Sequence, residues 1–325
     1  MWNLKQCSNP KCGLIWLDPM PVKEDMGQAY ANYYTHAPQA ARSHLQFIKQ
    51  IYKLMKRGFL AGRYGYRINS TSCFVRCIGK ILYVFPLQRC DVDAGVRFLH
   101  AVPEGRLLDV GCGSGEWLAS MRELGWNVCG VDFDEGAVSL ARQSGLDIRC
   151  GDLEAQRFPD ESFDAVTLNH VIEHVPDPVR TLLECARILK RNGKLVIFTP
   201  NSSSLGHRIF RQHWRGLEPP RHLHLFSPLS MKAVLNLAGF SDTSVRTINS
   251  SYVWQHSLRL WVGRHGRTGG ILSRLTTTLL STVFTLIEQI LLVSSPNAGE
   301  CVAVRAQKNR ERVVDSNNPT DPGTV

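Results

Sequence analysis

Leu107-Leu108-Asp109-Val110-Gly111-Cys112-Gly113-Ser114-Gly115-Glu116-Trp117 is the stretch that decides the fold. It reads as a short buried strand, a glycine turn and the first residues of a helix. Glycines at alternate positions let a ligand approach the backbone and permit turn dihedrals that other residues resist. A dinucleotide site uses G-x-G-x-x-G and sets a pyrophosphate on the helix N-terminus. Here the spacing is G-x-G-x-G, and Asp109 at the strand end would repel a pyrophosphate. A positively charged ligand without phosphate suits the loop better, and the ammonium and sulfonium of S-adenosylmethionine meet that description.

Two more acids stand where such a ligand needs them. Val128–Asp132 is a second strand ending in a carboxylate, placed to take a ribose diol, and Leu146–Asp152 is a third, placed to accept from an adenine amino group. Carboxylates at the ends of successive parallel strands converge on one crevice, because open α/β sheets bind ligands beyond their strand C-termini. From Glu104 to Phe240 this ordered set resembles the class I S-adenosylmethionine-dependent methyltransferases. The resemblance implies a Rossmann-like, seven-stranded α/β sheet with an antiparallel last strand. It also implies donor contacts at Asp109, Gly111, Gly113, Gly115, Asp132, Phe133, Asp152, Leu153 and Asn169.

The flanking pattern supports the same sheet. Helices at about Gly115–Leu124 and Glu135–Ser144 stop at Gly125 and Gly145, where a left-handed C-cap is wanted. Phe163–Leu168 is a fourth strand. Asp177 caps a helix with Pro178 at its first position, and the spacing runs that helix to Lys190-Arg191-Asn192-Gly193. Lys194–Thr199 is a fifth strand and Ser227–Ala238 a helix. Thr243–Ser250 and Glu300–Ala306 are the sixth and seventh strands. The insert between them is far longer than a hairpin needs and holds Trp254, Trp261 and the apolar run Ile271–Val293. Arg274 and Glu288 break that run short of a spanning helix, leaving an interfacial anchor, a subunit contact or a lid.

Charge is unevenly spread. The chain carries a net +10, yet residues 1–100 hold 14 basic and 5 acidic residues, and from Met26 to Cys90 ten Lys or Arg meet no Asp or Glu. A basic region of this kind favours anionic partners. Ala40–Leu60 is a predicted helix with Leu45, Ile48, Tyr52, Met55 and Phe59 on one face and Lys49, Lys53, Lys56 and Arg57 on another. It either lies on an anionic membrane or packs over the domain with its basic face in water. Four segments are expected: a knuckle-like 1–36, a basic helical 37–100, the methyltransferase domain 101–307 with its insert at 252–297, and a disordered tail from 308. The ten cysteines form no spaced disulfide framework and no cleavable leader is evident, which suggests a reducing cytoplasm, with a peripheral place at the inner membrane face as the alternative. Cys7 and Cys12 resemble half of a zinc knuckle, but a closed zinc site takes four ligands.

Three histidines are candidate bases, since imidazole titrates near neutrality. His170 and His174 lie in His170-Val171-Ile172-Glu173-His174. This is formally an inverted zinc-peptidase sequence, but Pro176 and Pro178 forbid the long helix that chemistry needs. The segment resembles the loop after strand four in ubiquinone-type O-methyltransferases, where acids and a histidine can hold a divalent metal. Glu173 and His174 match and His170 replaces the first acid, so no metal ligand is assigned. His222, in Glu218–Ser227, is the expected acceptor-facing residue, with Trp214 as a pocket wall and Arg221 as an anion contact or a loop tie. No base-methylation signature follows strand four, because Asn169 precedes His170, which argues against nucleic acid. The expected activity is O-methylation of a small-molecule or lipid-linked acceptor. The alternatives are a soluble sugar or secondary-metabolite methyltransferase working as a homodimer, or a donor-binding protein without turnover.

Overall fold

The computed structural model describes residues 2–21, 46–68, 72–240, 242–264 and 271–308. Much of the knuckle-like segment beyond residue 21 and the tail beyond residue 308 lie outside them. In chain order the strands are β1 (Asn3–Gln6), β2 (Ile15–Asp18), β3 (Arg106–Val110), β4 (Asn127–Asp132), β5 (Asp147–Cys150), β6 (Phe163–Asn169), β7 (Leu189–Pro200), β8 (His224–Leu225), β9 (Asp242–Ile248) and β10 (Cys301–Gln307). The helices are α1 (Gln46–Arg63), α2 (Cys73–Gly79), α3 (Pro86–Gly95), α4 (Glu116–Glu123), α5 (Glu135–Gln143), α6 (Pro178–Ile188), α7 (Leu205–Phe210), α8 (Pro228–Leu237), α9 (Ser251–Arg264) and α10 (Ile271–Ser294).

Seven strands form one sheet in the order β5-β4-β3-β6-β7-β10-β9. The first five are parallel, and β10 enters antiparallel between β7 and β9. The sheet is buried on both faces, and its residues alternate between two cores. Leu108, Val166, Ile197, Val302 and Val304 point into one, whereas Leu107, Ala165, Val196, Cys301 and Ala303 point into the other. That period of two on apolar runs is what strands covered on both sides by helices require. β3 has β4 on one side and β6 on the other, so the chain reverses its direction of travel across the sheet there. A crevice opens at such a reversal, beyond the strand ends.

One expectation changes and two others are met in part. The helix begun at Asp177 ends at Ile188, because Leu189 is fully buried and pairs with Phe163 as the first residue of β7. Lys190–Gly193 form an irregular stretch of β7 between the Leu189–Phe163 and Lys194–Ala165 pairs, so it is the pairing of Leu189 that stops the helix. In α1 the apolar residues of the last turns face the protein: Phe59 and Leu60 are buried with Tyr64, Leu82 and Val92, and Met55 packs beside them, while Ile51 and Tyr52 are exposed together with Lys49, Lys53 and Lys56; Leu45 and Ile48 lie outside the described side chains. The inward-packed reading fits the last turns of α1. Finally, the β1–β2 hairpin is not a free-standing knuckle. β2 pairs with β8 (Ile15 with Leu225, Trp16 with His224), and Cys7 and Cys12 form no disulfide.

Candidate functional site

The glycine turn sits at the reversal, between β3 and α4. Gly111, Gly113 and Gly115 all have positive φ, 69°, 53° and 74°. Gly111 and Gly113 do different work. A Cβ on Gly111 would come within 2.3 Å of Val171 Cγ2, so Gly111 lets the turn after β6 close onto the loop. A Cβ on Gly113 would meet nothing within 4 Å. Gly113 thus faces open space, the cradle a donor would fill. Its N–H donates to Asp132 Oδ2 at 2.7 Å, and Oδ1 of the same carboxylate accepts from Asp134 N at 2.9 Å. Asp132 is buried, and desolvation pushes its pKa up, while the two N–H donors pull it back. Beside it Phe133 is exposed, Asp152 stands exposed at the end of the neighbouring β5, and Leu153 is buried in the core.

Asp109 requires a correction. Its side chain is only 1% exposed, paired with Arg97 and accepting from Thr167 Oγ1 at 2.8 Å. The Arg97 guanidinium also donates to Thr167 at 2.7 Å and lies 3.4 Å over the Trp117 ring. Arg97 and Phe98 both hold positive φ, 48° and 55°, a backbone that non-glycine residues seldom adopt. Asp109 therefore presents no open carboxylate to a ligand. It is a buried ion pair beneath the loop, tying the segment before β3 to β3 and β6. Arg97 was missed because nothing local marks it: one arginine in a basic N-terminal region becomes special only through contacts made across the fold.

At the end of β6, Asn169 and His170 emerge exposed, His170 with φ 56° and its N–H bonded to Phe198 O. His170 Nδ1 meets Glu173 Oε1 at 3.2 Å, and Oε2 accepts from Thr199 Oγ1 at 2.9 Å. Glu173 is fully buried. Burial alone would raise its pKa, but the bond and charge of His170, with His174 and His222 beyond, bring it down to about 2. An ionised carboxylate thus stands behind a half-exposed imidazole.

His222 lies deeper than expected. It is buried, its Nδ1 is 2.6 Å from Gly216 O, and burial, with the neighbouring His174, pulls its pKa down to about 4. His174 Nδ1 is 2.9 Å from Arg221 O, and the two rings pack edge to face at 4.7 Å. Trp214 is also buried, donating to Glu300 Oε2 at 2.7 Å, and Arg221 pairs with Glu218. These side chains tie the 214–224 segment together, His222 and Trp214 buried and His174 and Arg221 half-buried. The same segment is anchored from below, where Leu223 N and His224 N both donate to Glu173 O.

Glu173, His174 and His222 bring one potential ligand atom each within 4.8 Å of one another. Two imidazoles and a carboxylate are chemically able to hold a divalent ion. The arrangement does not fit one that must reach an acceptor: Glu173 is enclosed with both oxygens engaged, and His222 is buried with it. The cluster is an internal support for the His170 turn.

Residues 88–245 match the family model described as methyltransferase domain. They are a class I S-adenosylmethionine-dependent methyltransferase domain. Among curated proteins the chain is similar to ubiquinone biosynthesis O-methyltransferases of Hahella chejuensis, 41% identical over 31% of this chain and 45% of that protein. It is also similar to that of Xanthomonas oryzae pv. oryzae, 43% identical over 30% and 43%. The chain thus matches less than half the length of these relatives. Among solved structures, a methyltransferase of Thermotoga maritima aligns with TM-score 0.46 and 20% identity, covering 80% of this chain and all of that one. Phosphoethanolamine N-methyltransferase 2 of Haemonchus contortus, in complex with S-adenosylmethionine, aligns with TM-score 0.46 and 16% identity, covering 84% and 62%. The open Gly113 backbone, with Asp132 holding the turn and the exposed Phe133 ring beside it, leaves room that fits the donor of this methyltransferase domain.

Proposed function

We propose that the chain transfers a methyl group from S-adenosylmethionine to a hydroxyl oxygen, with His170 as the base that takes the proton. The observation that supports it is the His170–Glu173 dyad beside the glycine turn. His170 Nδ1 lies within hydrogen-bond distance of the buried Glu173 carboxylate, and with Nδ1–H donating there the neutral ring would be fixed with its Nε2 lone pair free to take a proton. Orientation of an imidazole by a buried carboxylate is how such pairs act as bases elsewhere.

The sulfonium donor supplies an already activated methyl carbon when bound. The chain's share is alignment and one proton. Asp132 and the Gly113 backbone hold the donor, Val171 against Gly111 closes the turn that carries His170 toward it, and His170 Nε2 accepts the hydroxyl proton as the oxygen attacks. Holding two reactants in line supplies much of the rate in such a displacement. The acceptor is read as a small-molecule or lipid-linked hydroxyl. The names of the curated relatives, ubiquinone biosynthesis O-methyltransferases, support oxygen as the methylated atom.

His170→Ala tests the assignment. With a catechol or phenol acceptor panel and labelled donor, methyl transfer should fall by roughly 10²–10⁴-fold, the usual worth of a general base, while calorimetric affinity for the donor stays within about twofold. An alanine variant as active as the parent on every accepted substrate removes His170 from the mechanism.

A further inference from the structure

The helix α10 is turned inside out. Thr277, Ser281, Thr285 and Glu288, spaced as one helical face, are buried against the protein. Leu279, Leu280, Val283, Leu286, Ile287, Ile290 and Val293 fall on the outward side, 42% to 88% exposed. A surface helix of a water-soluble domain normally does the reverse. The buried polar face is fully engaged. Ser281 Oγ and Thr285 Oγ1 bond back to the helix carbonyls of Thr278 and Ser281, at 2.8 and 2.7 Å. Glu288 accepts from Trp254 Nε1 of α9 and from Glu300 N, both at 2.7 Å. The Trp254 ring stacks on Phe284 at 4.9 Å. These contacts bind α10 along the domain through its polar side. They prevent it from standing across a bilayer, although Thr276–Ser294 has a mean hydropathy of 1.5 and the length to do so. The apolar side is left outward along the 19 residues Thr276–Ser294, about 28 Å of helix.

The surroundings identify what covers it. Between Asp242 and Glu300 the sole acidic residue of the sequence is Glu288, which is enclosed, and among the described side chains Arg246 and Arg259 are exposed. On α9, Arg259 is exposed together with Tyr252, Leu260 and Trp261. An apolar stripe on a segment that also carries an exposed arginine and exposed aromatic rings, with no outward acid among its described side chains, matches the boundary of an anionic bilayer, where such rings and cations settle. The overall +10 draws the molecule to the same surface.

We propose that the outward stripe of α10, with the exposed side chains of α9, lies in the headgroup–acyl boundary of an anionic membrane, so that the domain binds lipid edge-on without crossing it. The binding needs neither donor nor acceptor, and holds whichever oxygen is methylated.

Vesicle flotation of the full chain, without donor, is the test, using phosphatidylglycerol-rich and pure phosphatidylcholine vesicles. The full chain should float with the anionic vesicles and less with the neutral ones. Leu286→Glu combined with Ile290→Glu should reduce partitioning at least tenfold with an unchanged melting midpoint, because both side chains project outward. Absence of flotation with either composition overturns the proposal, as does a double variant that floats like the parent. Sedimentation without lipid decides against the competing occupant. A parent dimer that the double variant splits would assign the stripe to a second copy and end the membrane reading.

Discussion

Replacing Glu288 with Gln should produce stability curves that cross as pH changes. Glu288 is fully enclosed and lies next to Glu300, also enclosed. Burial and then the Glu300 charge raise its pKa from 4.5 to about 8, and burial raises Glu300 to about 7. Below 4.5 both carboxyls are protonated whether the chain is folded or not, so their contribution is level. Above it the unfolded chain ionises while the folded one keeps its protons, and stability falls with rising pH until the folded groups ionise too. At about 1.4 kcal/mol per pH unit, the interval from 4.5 to about 8 sets a ceiling of roughly 5 kcal/mol for Glu288. Glutamine removes that dependence but has a cost of its own. Two N–H donors, from Trp254 and Glu300, point at the carboxyl, and an amide offers them one acceptor. The unmet donor costs about 1–3 kcal/mol. The variant should therefore be the weaker protein at acid pH, draw level between about pH 5 and 7 at that slope, and be the stronger one above it, with Glu300 still giving it a slope that ends near 7. Urea unfolding followed by tryptophan fluorescence across this range measures both curves. A constant gap between them would refute a proton held at Glu288.

Three further outcomes follow from the site. Arg97→Ala leaves Asp109 as a buried charge without its partner, and should cost about 3–5 kcal/mol in denaturant unfolding; a loss under 1 kcal/mol would mean the pair is dispensable. Gly113→Ala adds a methyl to the open cradle at a φ of 53°. It should cost about 1–2 kcal/mol of stability from that backbone and weaken calorimetric donor binding at least tenfold, whereas unchanged affinity would place the donor elsewhere. Prolonged EDTA treatment should leave donor affinity and methyl transfer unaltered if the Glu173–His174–His222 cluster is a support; activity lost to EDTA and restored by a divalent ion would make it a metal centre.

The sheet was readable because its signals are local. Glycine spacing, acids at strand ends and caps such as Asp177, whose side chain accepts from Arg180 N, act within a few residues. The turn after β6 was legible as a place for chemistry, but the division of labour among its histidines was not. His170, His174 and His222 look alike in sequence. They differ by what encloses them, and that depends on Thr199, Gly216 and Arg221 arriving from other elements. The sequence showed α10 as an apolar run interrupted by charge. Its inversion depends on Trp254 and Glu300 drawing the polar side inward, contacts spanning 34 and 12 residues.

The topology also bears on how this protein can be cut. The recognised span stops at residue 245, inside β9, and excludes β10, which lies between β7 and β9. It also excludes β2, whose Leu17 N–H bonds to Leu223 O just ahead of β8. A fragment trimmed to the family boundaries would therefore bare a long flank of β7 to solvent, inviting foreign strands to add there. Expression work on this chain should keep both ends.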